Sequence, residues 1–179
     1  MSTLHVENLK GPTSGANANK VLIPSGHTLD ASSGLTTPAG HVIQSLTQEV
    51  TAIATTTSTS YVATAFTLTI TPKFTSSKIK CTLGLSGVHN NIVQSAVELS
   101  LYKDGSHLKY LHSLLGYSSG ATQDNMDATI MATDNPNTTS AVTYAIYWRL
   151  GYGSGTVYYN NYVAANRTRS WFTVEEIAQ

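Results

Sequence analysis

Apolar side chains over most of this chain recur at every second residue, and that period fixes the backbone before anything else is considered. In residues 77–85, Ile79, Cys81, Leu83 and Leu85 share one phase; in 142–148, Val142, Tyr144, Ile146 and Trp148 do the same. A strand turns successive side chains to opposite faces, so this spacing makes a face that must be buried against another apolar face. Val97, Leu99 and Leu101 repeat the pattern and run into Asp104-Gly105, a strong hairpin-turn pair. Residues 67–71 alternate up to Pro72, and 128–133 run up to Asp134-Asn135-Pro136. Residues 156–159 follow a Gly-rich turn, and 171–177 form the last strand. Ser and Thr make up about a quarter of the chain, a strand-and-turn composition. Strands at this density, joined by Gly and Asn turns, predict an all-β fold: an antiparallel, jelly-roll-like β-sandwich head over residues 46–179.

Residues 1–45 read differently. Their apolar residues come in small clusters, such as Val21-Leu22-Ile23, separated by Gly, Pro, Ser, Thr and Asn. Pro24-Ser25-Gly26-His27 and Pro38-Ala39-Gly40-His41 echo one another, each reading as a turn in which Pro fixes φ and Gly supplies a positive one. A short strand is expected after each. The clusters are too small to offset the entropy of ordering some 45 residues, about 1–2 kcal/mol each. A β-structured stalk shared by three copies, with Leu, Val and Ile on a common axis, would bury them. The expectation is therefore an N-terminal trimeric stalk, 1–45, followed by the head. Ile43, Leu46, Val50 and Ile53 also fit the spacing of a short trimeric helix, the alternative to an extended entry into the sandwich.

Several function classes are disfavoured. Ten basic residues balance ten acidic ones, which argues against nucleic acid as a partner. No apolar run approaches a membrane span, so no membrane insertion is expected, and the first residues lack the pattern of a secretory signal. The single Cys81 rules out an internal disulfide framework and alternates with apolar neighbours, as a buried small hydrophobe does. No cofactor is expected.

Six pieces of sequence occur in an order that resembles the C-terminal domains of tail-fibre and virion-appendage proteins of tailed bacteriophages, notably those of marine cyanobacteria. They are residues 38–44, 69–79 (Thr-Ile-Thr-Pro-Lys-Phe-Thr-Ser-Ser-Lys-Ile), 101–105 (Leu-Tyr-Lys-Asp-Gly), 138–144, 155–160 and 175–178 (Glu-Glu-Ile-Ala). The resemblance implies a homotrimeric fibre on the exterior of the virion, used in host adhesion. It also implies contacts to other virion proteins through the N-terminal segment. The long N-terminal adaptor common in such fibres has almost no counterpart here, which leaves tail tip, side fibre and capsid fibre open as positions.

No catalytic residue stands out. Asp124, Asp127 and Asp134 cluster as the carboxylate pair of a glycan depolymerase would, and a solvated loop explains them better. No metal site is expected; a ring of His27 or His41 around a threefold axis is the nearest thing to one. Tyr117, Tyr152 and Tyr162 sit among Gly, Ser and Asn outside the strand alternation, and with Asp124, Asn125 and Asp127 they are the candidate receptor-binding residues. An exposed Tyr ring beside polar groups suits a host-surface glycan or protein. Loops 87–95, 113–127 and 151–169 are the expected recognition surface. The remaining alternative is a decoration or connector protein that binds only other virion subunits.

Overall fold

A computed structural model describes residues 10–18, 20–27, 38–117, 119–120, 126–161 and 169–179. The chain divides into two units, Met1–Thr36 and Thr37–Gln179. Both Pro-x-Gly-His pieces are turns: His27 N donates to Pro24 O at 3.1 Å and His41 N to Pro38 O at 3.3 Å. Gly26 and Gly40 take φ of 83° and 88°, the conformation that glycine adopts at no steric cost. After the second turn a strand opens at Val42, as expected; the residues after the first lie outside the described ones. The described residues of the first unit form turns and irregular chain and no strand, so the strand structure expected across 1–45 begins only at Val42. Val21, Leu22 and Ile23 are all exposed.

Ten strands follow among the described residues: β1 (Val42–Val50), β2 (Ala54–Thr56), β3 (Val62–Ile70), β4 (Lys78–Asn90), β5 (Ala96–Lys103), β6 (Ser106–Leu115), β7 (Met126–Asp134), β8 (Val142–Tyr152), β9 (Val157–Tyr159) and β10 (Ser170–Ile177). Their antiparallel pairs nest. β5 pairs β6, β4 pairs β7, β3 pairs β8, β2 pairs β9 and β1 pairs β10. The chain is thus one long hairpin, and its tip is Asp104-Gly105, both at positive φ as a type I′ turn requires. Rolling that hairpin up adds the contacts β10·β4 and β5·β8. One sheet then runs β1-β10-β4-β7, with β9 and β2 carried on the far end of β4, and the other runs β3-β8-β5-β6. That connectivity is a jelly roll, and the expectation of a jelly-roll-like sandwich holds.

Between the sheets lie Ile79, Leu83, Phe172 and Val174 from one side and Phe66, Leu99, Leu101, Ile146 and Trp148 from the other. Cys81 and Tyr144 are buried among them, as the alternation implied. The trimeric-helix alternative for Ile43 to Ile53 fails, because residues 42–50 find their backbone partners on β10. Helical spacing alone carries little weight where a neighbouring strand offers a ladder of backbone partners.

Two carboxylates, Glu176 buried and Asp134 partly so, tie the roll together. Glu176 of β10, fully buried, accepts hydrogen bonds from Lys73 N (2.7 Å), Phe74 N (3.3 Å), Ser77 Oγ (2.6 Å) and Gln44 Nε2 (2.6 Å). Burial pushes its pKa up, but the hydrogen bonds outweigh that and hold it below the ordinary glutamate value. Asp134 Oδ2 accepts from Tyr144 Oη at 2.7 Å and from Lys103 Nζ at 2.9 Å, which links β7 of one sheet to β8 and β5 of the other.

Candidate functional site

At one end of the sandwich the connections β1–β2, β4–β5, β6–β7, β8–β9 and β9–β10 meet, and asparagine side chains bind them into one surface. Asn90 Nδ2, buried, donates to Ser95 O at 2.9 Å and to Gly116 O at 2.7 Å, joining two connections through one amide. Asn91 N donates to Thr156 O, and Thr156 N returns a bond to Asn91 Oδ1. Asn160 Nδ2 reaches Val50 O and Ala52 O, Ser170 Oγ donates to Asn160 Oδ1, and Asn160 N donates to Ser86 O. Such side-chain-to-backbone bonds are how a loop replaces the ladder it lacks. Gly153 (φ 76°) approaches so closely that an added Cβ would lie 2.1 Å from Gln94 O.

Beneath this surface His89 stacks on Tyr158 with ring centroids 4.4 Å apart and planes within 5°. Burial lowers the His89 pKa, against the backbone hydrogen bonds of Gly87 and Asn161 that favour its charge.

Of the expected site residues, Tyr117 and Tyr152 come together, with ring centroids 5.8 Å apart, edge to face. Both are exposed, as are Ile92 and Val93 of the β4–β5 connection. Asp127 lies on β7, and its Oδ1 accepts from Ser86 Oγ (2.8 Å) and Gly87 N (2.9 Å), where the β4–β7 register slips. That bond caps a bulge. Asp127 also lines a hollow of about 280 Å³ with Gly84, Arg169 and Trp171. Asp124, Asn125 and Tyr162 lie outside the described residues. The expected loops are shorter than their sequence limits, since 87–90 belong to β4 and 157–159 form β9.

Among the described residues no group of three or more His, Cys, Asp or Glu could hold a metal ion. Cys81 is buried, and burial pushes its thiol up to about 12, which makes it a poor nucleophile.

A second surface went unread in the sequence. On the outer face of β3-β8-β5-β6, Tyr102 and Tyr147 stack at 3.8 Å, with His107 edge-on to Tyr102 at 5.6 Å. Arg149 lies 4.8 Å over the Tyr61 ring and pairs with Glu98 at 2.7 Å. The signal was present: Tyr147 and Arg149 occupy the outward phase of β8 between Ile146, Trp148 and Leu150, where a solvated face carries small polar residues.

No family model matches the chain, and neither does any curated protein. Solved structures that it resembles include three from infectious bursal disease virus. One is the structure of the Gt strain (12% identity, TM-score 0.42, 88% of this chain and 43% of that one). Another is the VP2 subviral particle (16%, 0.38, 94% and 46%), and a third is the virus-derived T=1 particle (12%, 0.38, 94% and 44%). The chain spans less than half the length of each. These are virus particles rather than appendages of tailed bacteriophages, and the tail-fibre resemblance is corrected accordingly. The physical reason lies in the pieces that carried it. Residues 101–105 form the hairpin tip, and 69–79 and 175–178 meet at Glu176. They report the framework of a jelly roll, which serves many functions.

Proposed function

We propose that this protein is a non-enzymatic structural component of a virus particle, displayed on its exterior, that binds its partner through the loop end of the jelly roll. The observation that supports this most is the bonding of the connections by Asn90, Asn91 and Asn160, which holds Tyr117 and Tyr152 on a rigid frame. A preorganised pair of exposed rings loses little entropy on binding, as a recognition surface requires. The step to a virus particle is an analogy of fold, since jelly rolls serve as viral capsid and lectin domains alike. The protein works as a homotrimer: Val21, Leu22 and Ile23 of the first unit, exposed in the single chain, are covered by sister copies and by other particle subunits. Three copies acting together raise avidity over single-site affinity by about 10²–10⁴ when the receptor spacing fits.

The experiment is capture of host-surface extract by immobilised protein. Tyr117→Ala and Tyr152→Ala are expected to reduce capture; equal capture by both variants would remove the loop end as the binding surface. Capture of other particle subunits and of no host material would favour a purely connecting role.

A further inference from the structure

The aromatic outer face of β3-β8-β5-β6 ends in a groove of about 490 Å³ along the edge strand β6, lined by Glu98, Tyr110, Leu111, His112, Ser113 and Arg149. The β5–β6 register slips at three places, and the slip next to His112 and Leu115 widens the edge here. Cross-strand packing explains the Tyr102–Tyr147 stack. It does not explain Tyr110, which is 74% exposed and makes no hydrogen bond through its hydroxyl among the described residues. Its ring has His107 beside it at 4.4 Å and Tyr61 at 6.3 Å, centroid to centroid, and leaves the rest of its surface to solvent.

On the neighbouring strand β5, Glu98 Oε2 accepts from Arg149 Nε (2.7 Å) and Tyr61 Oη (3.2 Å), while Oε1 accepts no hydrogen bond among the described residues. Arg149 Nη1 donates to Thr59 O at 3.3 Å. The groove therefore combines one flat apolar ring face with a carboxylate oxygen ready to accept. Its two charges cancel each other, so neither an anion nor a cation gains from entering. A ligand with a C–H face and hydroxyl donors gains from the ring and from the carboxylate. The volume falls within the range of small-molecule sites, about 300–1,000 Å³.

We propose that this groove is a binding site for a neutral saccharide of one or two rings, stacked on Tyr110 with a hydroxyl donated to Glu98. It is separate from the loop end and goes beyond the proposed function.

The test is titration of the full chain with an array of neutral glucose, galactose, mannose and N-acetylhexosamine oligosaccharides, read by NMR chemical shifts. At least one is expected to bind and to shift the Tyr110 and Glu98 resonances. Tyr110→Ala and Glu98→Gln should each weaken it about tenfold or more, and Tyr110→Trp should keep it. Tyr110 is exposed, so its variants should fold. Tyr117→Ala should leave this binding unchanged, which separates failure here from failure at the loop end. Absence of any neutral-sugar binding at millimolar concentration would overturn the proposal. So would binding indifferent to Tyr110→Ala, or light scattering showing that Tyr110→Ala dissociates an oligomer built on this face.

Discussion

Replacing Glu176 by Gln removes one buried negative charge and little else. The carboxylate is fully buried and serves four donors from two segments: Gln44 of β1, and Lys73, Phe74 and Ser77 of the β3–β4 connection. In the Gln variant Oε1 still accepts from Lys73 N, Phe74 N and Ser77 Oγ, but as a neutral acceptor. Hydrogen bonds to a charged group contribute about 1.5–3 kcal/mol each against about 1 for neutral ones. The new amide also faces Gln44 Nε2, donor against donor, and Gln44 cannot turn over freely because it also donates to Thr71 O at 2.8 Å. Relief of the buried charge offsets part of this loss, leaving a net cost of about 2–3 kcal/mol. For a domain of this size that lowers Tm by about 5–10 °C near neutral pH. Because the folded pKa lies below the unfolded one, the stabilisation is present above about 4.3 and is lost as pH falls through the folded value. Thermal melts by circular dichroism of both proteins from about pH 7 to pH 3 should show the gap closing as the natural carboxylate protonates and comes to resemble the amide. Equal Tm near pH 7, or a gap of constant size down to pH 3, would refute this reasoning.

Asn160→Ala removes the amide that reaches Val50 O and Ala52 O and accepts from Ser170, at a position with φ of 56°; a loss of about 3 kcal/mol is expected in urea unfolding. The lowered His89 pKa means that the unfolded chain takes up a proton first, so stability should fall as pH drops below about 6.5, and His89→Phe should flatten that part of the pH profile. Cys81 should stay unreactive toward a thiol reagent in the native protein and react fully in denaturant; fast native labelling would contradict its burial. Gly153→Ala should disturb the loop end and lower the protection of its amides against hydrogen exchange, while the protection of β8 and β10 stays unchanged.

Much of the fold was legible because burial on one face writes itself into alternation. β4, β5 and β8 were plain for that reason, and Asp104-Gly105 marked the tip of the hairpin. The nested pairing was not legible, since which strand finds which is decided by contacts far apart in the sequence. β6 was missed because its register slips three times, so His107, Lys109, Tyr110 and His112 never settle into one phase. In β10 the alternation allowed two phases, and Trp171 looked as inward as Phe172. The structure chooses the phase that buries Glu176, a residue that alternation alone would place outside, because four donors wait for it. Tyr117 could be singled out because it stands beyond the strands and Tyr152 because it ends one beside a Gly-rich turn, whereas Tyr110, inside one, could not.

The most direct test of the central reading is to locate the protein on its particle. An antibody against the purified chain, applied to intact virus particles from its source and imaged by electron microscopy, should decorate the exterior. A Tyr117→Ala, Tyr152→Ala particle should be decorated equally yet capture less host material. Particles without any decoration, from a source in which the chain is expressed, would contradict the assignment.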